Sequence, residues 1–281
     1  MIGKQFRKVF RVIRFAWVLG SAGMIYVTTV WLAGKSSQIP ARAAWMRDTS
    51  RRLLAAMNIV VTRQGSLPAN GLLAANHLGY IDIVVLGAAQ PTIFLSKSEV
   101  RQWPVLGLLT ACAGTLFIRR DRKTDVARFD EPFAQVVNAG LLLGIFPEGT
   151  STDGHQVLAF HSSLFAAAAA AQWPVTPVWI GYQTDDGSVE QEVCYWGDMT
   201  FFSHFWQLAG LKQVRATVVY GRTLIGEPDR KQLARRLHRE VCQLFEEHRR
   251  DLKEAEASSA KARSTANPSE TGAAAPAGRH S

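Results

Sequence analysis

Short β-branched or aliphatic runs alternate with helix-like stretches through most of this 281-residue chain, and this alternation constrains the fold more than any other feature. Strands separated by helices imply a layered α/β domain, in which helices flank a mostly parallel or mixed sheet. The runs that predict strands are 59–62, 72–75, 92–95, 115–118, 141–146, 175–180, 193–196 and 214–220. The stretches that predict helices are 81–89, 100–111, 123–139, 161–172 and 229–250.

A second constraint lies near the start of the chain, where residues 15–33 contain no charged side chain. About 20 apolar residues match the thickness of a bilayer's hydrocarbon core, so this run predicts a membrane-associated helical segment. Basic residues lie on both sides of the run, which suits a segment that enters one leaflet and returns. A full span, an interfacial helix and a buried core helix are the alternatives. A cleaved signal peptide fits less well, because the run is longer than the apolar part of such peptides and no small-x-small cleavage site follows.

The basic residues are concentrated in the same region. Lys and Arg outnumber Asp and Glu by 32 to 23, and residues 1–52 carry ten basic side chains against a single acid, Asp48. Such an excess needs a polyanionic partner, either anionic lipid head groups or nucleic acid. The charges adjoin an apolar run and do not alternate with exposed aromatic side chains. We therefore predict membrane lipids as the partner and no nucleic acid.

Composition divides the chain into three parts. Residues 1–52 are predicted to anchor the protein to a membrane and residues 53–250 to form the main folded domain. Residues 251–281 are predicted to be a disordered tail, because Ala, Ser, Thr, Gly and Pro dominate from about residue 255 onward. The three cysteines are far apart and lack metal-ligand spacing, which indicates neither a disulfide framework nor a metal site. We expect a reduced domain that faces the cytosol.

His77 and Asp82 follow the predicted strand 72–75, at a strand exit where open α/β sheets carry their active groups. Positions five apart on a helix differ by roughly 140° and do not share a face. The two side chains therefore meet only if a turn intervenes, and Gly79 allows that turn. Asp82 then holds one ring nitrogen of His77 while the other faces outward as a general base. Taken alone, this spacing also arises by chance.

Two further groups of polar residues follow predicted strands. Pro147 and Gly149 form a turn after strand 141–146 that projects Glu148 from the same sheet edge as His77. A helix-capping carboxylate is the alternative role for Glu148. The strand 115–118 runs into a basic cluster that either binds a phosphate or forms a solvated face. The cluster consists of Arg119, Arg120, Arg122 and Lys123.

Taken together, four strings occur in a specific order. They are N-H-x4-D at 76–82, G-x-x-F-x-x-R at 114–120, F-P-E-G-T at 146–150 and V-T-P-V at 175–178. This order resembles the four blocks of the glycerolipid acyltransferase family, whose type member is the bacterial 1-acyl-sn-glycerol-3-phosphate acyltransferase. The resemblance covers residues 53–221, and the segment 94–107 is similar to the one between the first two blocks.

The resemblance implies an O-acyltransferase at the cytoplasmic face of the inner (plasma) membrane. The acyl group would move from acyl-CoA or acyl carrier protein to the free hydroxyl of a lysophospholipid, without a metal or other cofactor. His77 would take the proton from that hydroxyl, and Asp82 would hold His77 in the correct tautomer. The hydroxyl would attack the thioester directly, so no acyl-enzyme is needed. The resemblance also implies substrate contacts, at the head group by Arg120, Glu148, Gly149 and Thr150 and at the acyl donor by Thr176 and Pro177.

The acceptor is the point at which the sequence departs from the family pattern. Phosphatidate-forming members commonly carry an arginine after the Thr of the third block and a lysine–glycine pair soon after, and here those places hold Ser151, His161 and Ser163. The string FPEGT-STDG also resembles the branch that acylates lyso-ornithine lipids. We place 1-acyl-sn-glycerol-3-phosphate first as the acceptor and lyso-ornithine lipid second. A catalytically silent relative that binds membranes is the alternative of another class.

Overall fold

The computed structural model describes residues 2–32, 34, 38–103, 106–118 and 130–265. Its α-helices are α1 (Ile2–Tyr26), α2 (Gln38–Met57), α3 (Tyr80–Gly87), α4 (Leu106–Cys112), α5 (Asp130–Asn138), α6 (Ala166–Ala170), α7 (Val189–Glu192), α8 (Phe201–Leu208) and α9 (Arg230–Thr265). A π-helical segment, Val27–Trp31, continues α1, and 3₁₀ turns at Ser98–Gln102 and Ser162–Phe165 precede α4 and α6.

The described strands form one seven-stranded sheet. They are β1 (Ile59–Gln64), β2 (Gly71–Ala75), β3 (Thr92–Lys97), β4 (Leu116–Ile118), β5 (Leu142–Ile145), β6 (Val175–Thr184) and β7 (Val214–Tyr220), in the order β1-β7-β6-β2-β5-β3-β4. Neighbouring strands are parallel except β6 and β7, which are antiparallel. The prediction of a mixed sheet flanked by helices is confirmed. Because β2 to β5 are parallel, their carboxyl ends lie at one edge, where ligands bind in open α/β sheets.

Helices cover both faces of the sheet, as the alternation along β2 shows. Leu73 and Ala75 join a buried cluster that includes side chains of α2, α3 and α8. Leu72 and Ala74 point the other way and join side chains of α5, α6 and α9. A strand buried on both faces reads as a continuous apolar run, which is why β2 shows no polar alternation.

Helices α1 and α2 form an antiparallel hairpin against the domain. The Trp45 indole N–H donates to the carbonyl of Ala22 at 2.8 Å, and the Arg52 guanidinium donates to the Ser21 hydroxyl. Among the described residues, one helical stretch, Ile2–Trp31, is long and apolar enough to cross a membrane, and only 11% of its most apolar window is buried. A core helix would be mostly buried, so that alternative for the apolar run does not hold.

The structure differs from the sequence-based elements in several places. The predicted strand 193–196 is wrong, because residues 193–196 form a loop in which the Tyr195 N–H donates to the carbonyl of Leu78 at 2.8 Å. Helix α9 continues past Arg250 to Thr265, since Ala, Glu, Lys and Arg in this stretch favour helix over the disorder expected from residue 255. Part of the predicted helix 123–139 and residues 266–281 lie outside the described residues.

Candidate active site

The site begins where β2 ends, at Asn76 and His77. The Asn76 amide group donates to the carbonyl of Ile180 at 2.9 Å and accepts from the Ile180 N–H at 2.7 Å. The side chain thus completes the pairing between β2 and β6 beyond the last residue of β2. This fixes the position of the next residue, His77, at the carboxyl edge of the sheet.

His77 is oriented by the carboxylate of Asp82, in the first turn of α3. Asp82 Oδ2 lies 2.8 Å from His77 Nδ1 and also accepts the N–H groups of Leu78 at 2.6 Å and Gly79 at 2.9 Å. The Asp82 side chain is fully buried, whereas 21% of the His77 side chain is exposed. A proton held on Nδ1 by this carboxylate leaves the lone pair on Nε2, which is the tautomer that a general base needs.

The other carboxylate oxygen has its own donor. The Tyr182 hydroxyl, near the end of β6, donates to Asp82 Oδ1 at 2.6 Å. Asp82 therefore receives two backbone N–H groups, a ring nitrogen and a phenol, which satisfies a charge that burial would otherwise penalise. Tyr182 was not among the predicted site residues, because the run that predicts this strand ends at Ile180.

The Gly79 conformation makes the compact turn between His77 and Asp82 possible. Its φ is +155°, and a Cβ at this position would lie 2.9 Å from Cβ of Tyr195. Only glycine fits this close approach without a shift of the neighbouring loop. The turn thus lets two side chains meet that a continuous helix would keep apart.

The loop after β5 clamps the backbone of His77 from the other side. Glu148 Oε1 accepts the His77 N–H at 3.1 Å, and the Thr152 N–H donates to the His77 carbonyl at 2.9 Å. The imidazole stacks on the Phe146 ring with a centroid distance of 4.3 Å. Glu148 is buried, and this burial raises its pKa to about 8, although the N–H groups of Leu158 and His77 favour the charged form. Glu148 thus supports the loop as a mostly neutral acid at pH 7.

His77 lines an open cleft. Ser151 and Tyr195 lie beside it, and the Ser151 hydroxyl donates to the Tyr195 carbonyl at 2.5 Å. No Lys or Arg lines the cleft in the part of the chain that the structure describes. The remaining walls are mostly apolar side chains from α2, α3, the 3₁₀ turn before α4, and α4 itself, among them Trp45, Leu53, Ile83, Val100, Leu106 and Leu109.

Of the substrate-binding residues predicted from the sequence, none that the structure describes lines this cleft. Gly149 and Thr150 adjoin Ser151 but do not line the cleft, and Thr150 is exposed. Thr176 is buried in β6, where its hydroxyl lies 2.8 Å from that of Thr223, and Pro177 next to it is also away from the lining. Arg120 lies outside the described residues, together with Arg119, Arg122 and Lys123.

Comparison with known proteins identifies the family to which the chain belongs. The family model described as Acyltransferase matches residues 58–181, which include His77, Asp82 and Glu148. The 1-acyl-sn-glycerol-3-phosphate acyltransferase of Neisseria meningitidis serogroup B is 30% identical over 174 residues, which cover 61% of this chain and 68% of that protein. The chain belongs to the acyltransferase family. This confirms the resemblance to the acyltransferase family that the four sequence strings indicate.

A curated relative and a solved structure are also similar to this chain, and the chain spans slightly less than two thirds of that relative's length. The lyso-ornithine lipid O-acyltransferase of Pseudomonas aeruginosa is 41% identical over 170 residues, which cover 60% of this chain and 65% of that protein. The crystal structure of the 1-acyl-sn-glycerophosphate (LPA) acyltransferase PlsC from Thermotoga maritima matches with a TM-score of 0.64. That match covers 88% of this chain and 98% of PlsC at 16% identity, so it establishes the fold alone.

Proposed function

We propose that the protein transfers a fatty acyl group from a thioester donor, acyl-CoA or acyl carrier protein, to the free hydroxyl of a lysolipid. The observation that carries this proposal is that the imidazole of His77, oriented by Asp82, lines a largely apolar cleft. The imidazole can remove the proton of the attacking hydroxyl, and the apolar walls can bind a fatty acyl chain. Each buried CH₂ group contributes about 0.8 kcal/mol to binding, so a long chain is held firmly.

The proposed reaction uses the residues of the site as follows. Nε2 of His77 removes the proton from the acceptor hydroxyl as its oxygen attacks the thioester carbonyl. The tetrahedral intermediate then expels the thiolate, which takes up the proton from His77, and the new ester bond remains in the product. Asp82 keeps Nδ1 protonated throughout and stabilises the imidazolium that forms. A thioester is already activated, so a base and proximity supply much of the rate enhancement.

For the acceptor we propose lyso-ornithine lipid first and 1-acyl-sn-glycerol-3-phosphate second, which reverses the order set from the sequence. The described lining next to His77 carries the neutral Ser151 where a phosphate-binding arginine is common, and it contains no Lys or Arg. The 41% identical Pseudomonas relative is a lyso-ornithine lipid O-acyltransferase. The basic residues from Arg119 to Lys123 support the second acceptor, because they could meet a phosphate.

We also propose that α1 holds the protein at the cytoplasmic face of the inner membrane. Large apolar side chains form an exposed stripe along α1 and the π-helical segment that continues it, and this stripe faces away from the domain. The stripe consists of Phe6, Phe10, Ile13, Trp17, Met24, Val27 and Trp31. A membrane-bound enzyme of this kind meets its lysolipid acceptor within the bilayer and its thioester donor in the cytosol.

The acceptor is tested by assaying the purified full-length protein with a labelled acyl donor. Each acceptor is offered at equal concentration in the same detergent micelles. We expect a higher kcat/KM for lyso-ornithine lipid than for lysophosphatidate. A preference for lysophosphatidate would restore the original order, and turnover of neither lipid would contradict the proposed activity.

A further inference from the structure

A second apolar groove lies next to the active cleft. It is lined by Trp103, Leu106, Tyr195, Phe201 and Phe202. The first three of these residues also line the cleft, so the two spaces meet at this shared wall. The groove leads from there to the surface of helix α8.

Helix α8 has one face fixed in the protein. His204 is buried, and its Nδ1 lies 2.9 Å from the hydroxyl of Tyr80, which lines the cleft. The ring of Phe205 packs on Phe15 of α1 with a centroid distance of 4.7 Å. These contacts hold α8 between the cleft and α1.

The side of α8 opposite His204 carries exposed aromatic rings. Phe202 is 69% exposed and Trp206 is 40% exposed, and positions four apart lie on one side of a helix. Nζ of Lys8, on α1, lies 5.5 Å from the centre of the Trp206 ring. The exposed rings of Phe202 and Trp206 therefore border α1 on the side of α1 that packs against the domain. An apolar surface of this kind on the rim of a cleft marks a binding site.

The proposed reaction brings two acyl chains to His77. One belongs to the thioester donor, which arrives from water and needs an enclosed space. The other is the chain that the lysolipid already carries, which starts in the bilayer. The cleft between α2 and α4 suits the first, and the groove, which opens at the exposed ring of Phe202, suits the second.

We propose that the groove formed by Trp103, Leu106, Tyr195, Phe201 and Phe202 binds the acceptor's own acyl chain and guides it from the bilayer to His77. This inference rests on the proposed function. Phe202 is the residue whose ring is both in the groove and largely exposed, so it contacts the chain at the point where the chain leaves the membrane.

The experiment compares two acceptors with one head group, carrying a long or a short acyl chain, in detergent micelles with no bilayer present. The measured quantity is the ratio of kcat/KM for the long-chain to that for the short-chain acceptor. Phe202→Ser is expected to lower this ratio about tenfold, because it removes apolar contact with the long chain. Phe202→Leu is expected to keep most of the ratio.

Ile225→Ser is the matched control. Ile225 is 71% exposed, and it follows Leu224, which pairs with Val175 at the start of β6. That end of the sheet is opposite the carboxyl edge where His77 lies. The control should leave the ratio unchanged, and none of the variants should alter the dependence on donor chain length.

Two results overturn the inference. One is an unchanged ratio in Phe202→Ser, and the other is a change in donor chain dependence in place of the acceptor dependence. Turnover of the short-chain acceptor by the wild type and by Phe202→Ser establishes the proposed function separately. An absence of any wild-type turnover would contradict both the proposed acyl transfer and the proposed role of the groove.

Discussion

At the scale of single residues, the site depends on how Asp82 is held. Its carboxylate is fully buried. The N–H groups of Leu78 and Gly79, just before α3, donate to Oδ2, and the Tyr182 hydroxyl of β6 donates to Oδ1. The Tyr182 hydroxyl is the donor that comes from furthest along the chain. Its position is set by strand pairing across the sheet, so Tyr182 aligns Asp82 without itself reaching the substrate.

Tyr182→Phe removes the donor to Asp82 Oδ1. We expect kcat to fall about tenfold with little change in KM for either substrate, because a buried oxygen loses its partner and His77 is held less firmly. Steady-state kinetics with both substrates varied measures the effect. Tyr220→Phe is the matched control, since the hydroxyl of Tyr220 is buried in the adjacent strand β7 and has no hydrogen-bond partner among the described residues. Equal losses in the two variants would mean that Tyr182 acts only through general packing.

Glu148 predicts a pH dependence of stability. Its pKa is about 8 in the folded protein against an ordinary value of 4.5, because burial penalises its charge. Between these values the folded state binds the proton more tightly than the unfolded chain, so the free energy of unfolding falls as pH rises from about 5 to 8. The glutamine side chain of Glu148→Gln cannot ionise. The variant should therefore lack this fall in the free energy of unfolding, which amounts to a few kcal/mol in order of magnitude.

The measurement is thermal or urea unfolding of Glu148→Gln and wild type at several pH values. The variant should gain stability relative to wild type as pH rises. Glu247→Gln changes an exposed carboxylate on α9 and should show no such trend. A stability difference between Glu148→Gln and wild type that stays constant from pH 5 to 8 would show that Glu148 is already ionised in the fold.

Residue-scale prediction from the sequence succeeded where the contact is local. His77 and Asp82 are five positions apart, and the steric freedom of Gly79 sufficed to infer the turn that brings them to 2.8 Å. Tyr182 lies 100 positions from Asp82, and no local pattern signals that its hydroxyl reaches that carboxylate. Ser151 was noted only as a departure from the family pattern, although it lies in the cleft.

At the scale of elements, strong runs were predictable and short ambiguous ones were not. The buried strands β2 and β5 stand out as continuous aliphatic runs bounded by turns. Residues 193–196 are similarly apolar but form a loop, because the backbone N–H of Tyr195 donates to the carbonyl of Leu78, which is not in a strand. A run of four residues carries too little periodicity to separate these outcomes.

The exposed apolar stripe of α1 predicts how the protein is extracted from membranes. Burial of large apolar side chains in the bilayer is insensitive to salt, whereas attraction between surface charges is screened within about 3 Å at 1 M salt. We therefore expect washed membranes to retain the protein at high salt and to release it in detergent. Sedimentation followed by immunoblotting measures the retained fraction. Complete release by salt alone would mean that Lys and Arg hold the protein at the surface without insertion of α1.

At the scale of the whole molecule, the parallel strands explain why distant segments share one site. β2, β5, β3 and β4 end at one edge, so the loops at 76–79 and 146–152 meet there although about seventy residues separate His77 from Glu148. The α/β pattern therefore sufficed to infer that the motifs converge. It did not reveal the cleft, whose walls come from the α1–α2 hairpin side of the domain as well as from α3 and α4. Packing between these layers depends on tertiary contacts that no single segment specifies.

The most direct test of the account is the rate of acyl transfer to lysolipid by His77→Ala. Loss of a positioned general base should lower kcat by about 10² to 10⁴, while membrane association and melting temperature stay close to those of the wild type. His155→Ala, which changes an exposed histidine outside the cleft, should retain full activity. Acyl transfer by His77→Ala at the wild-type rate would contradict the assignment of His77 as the base.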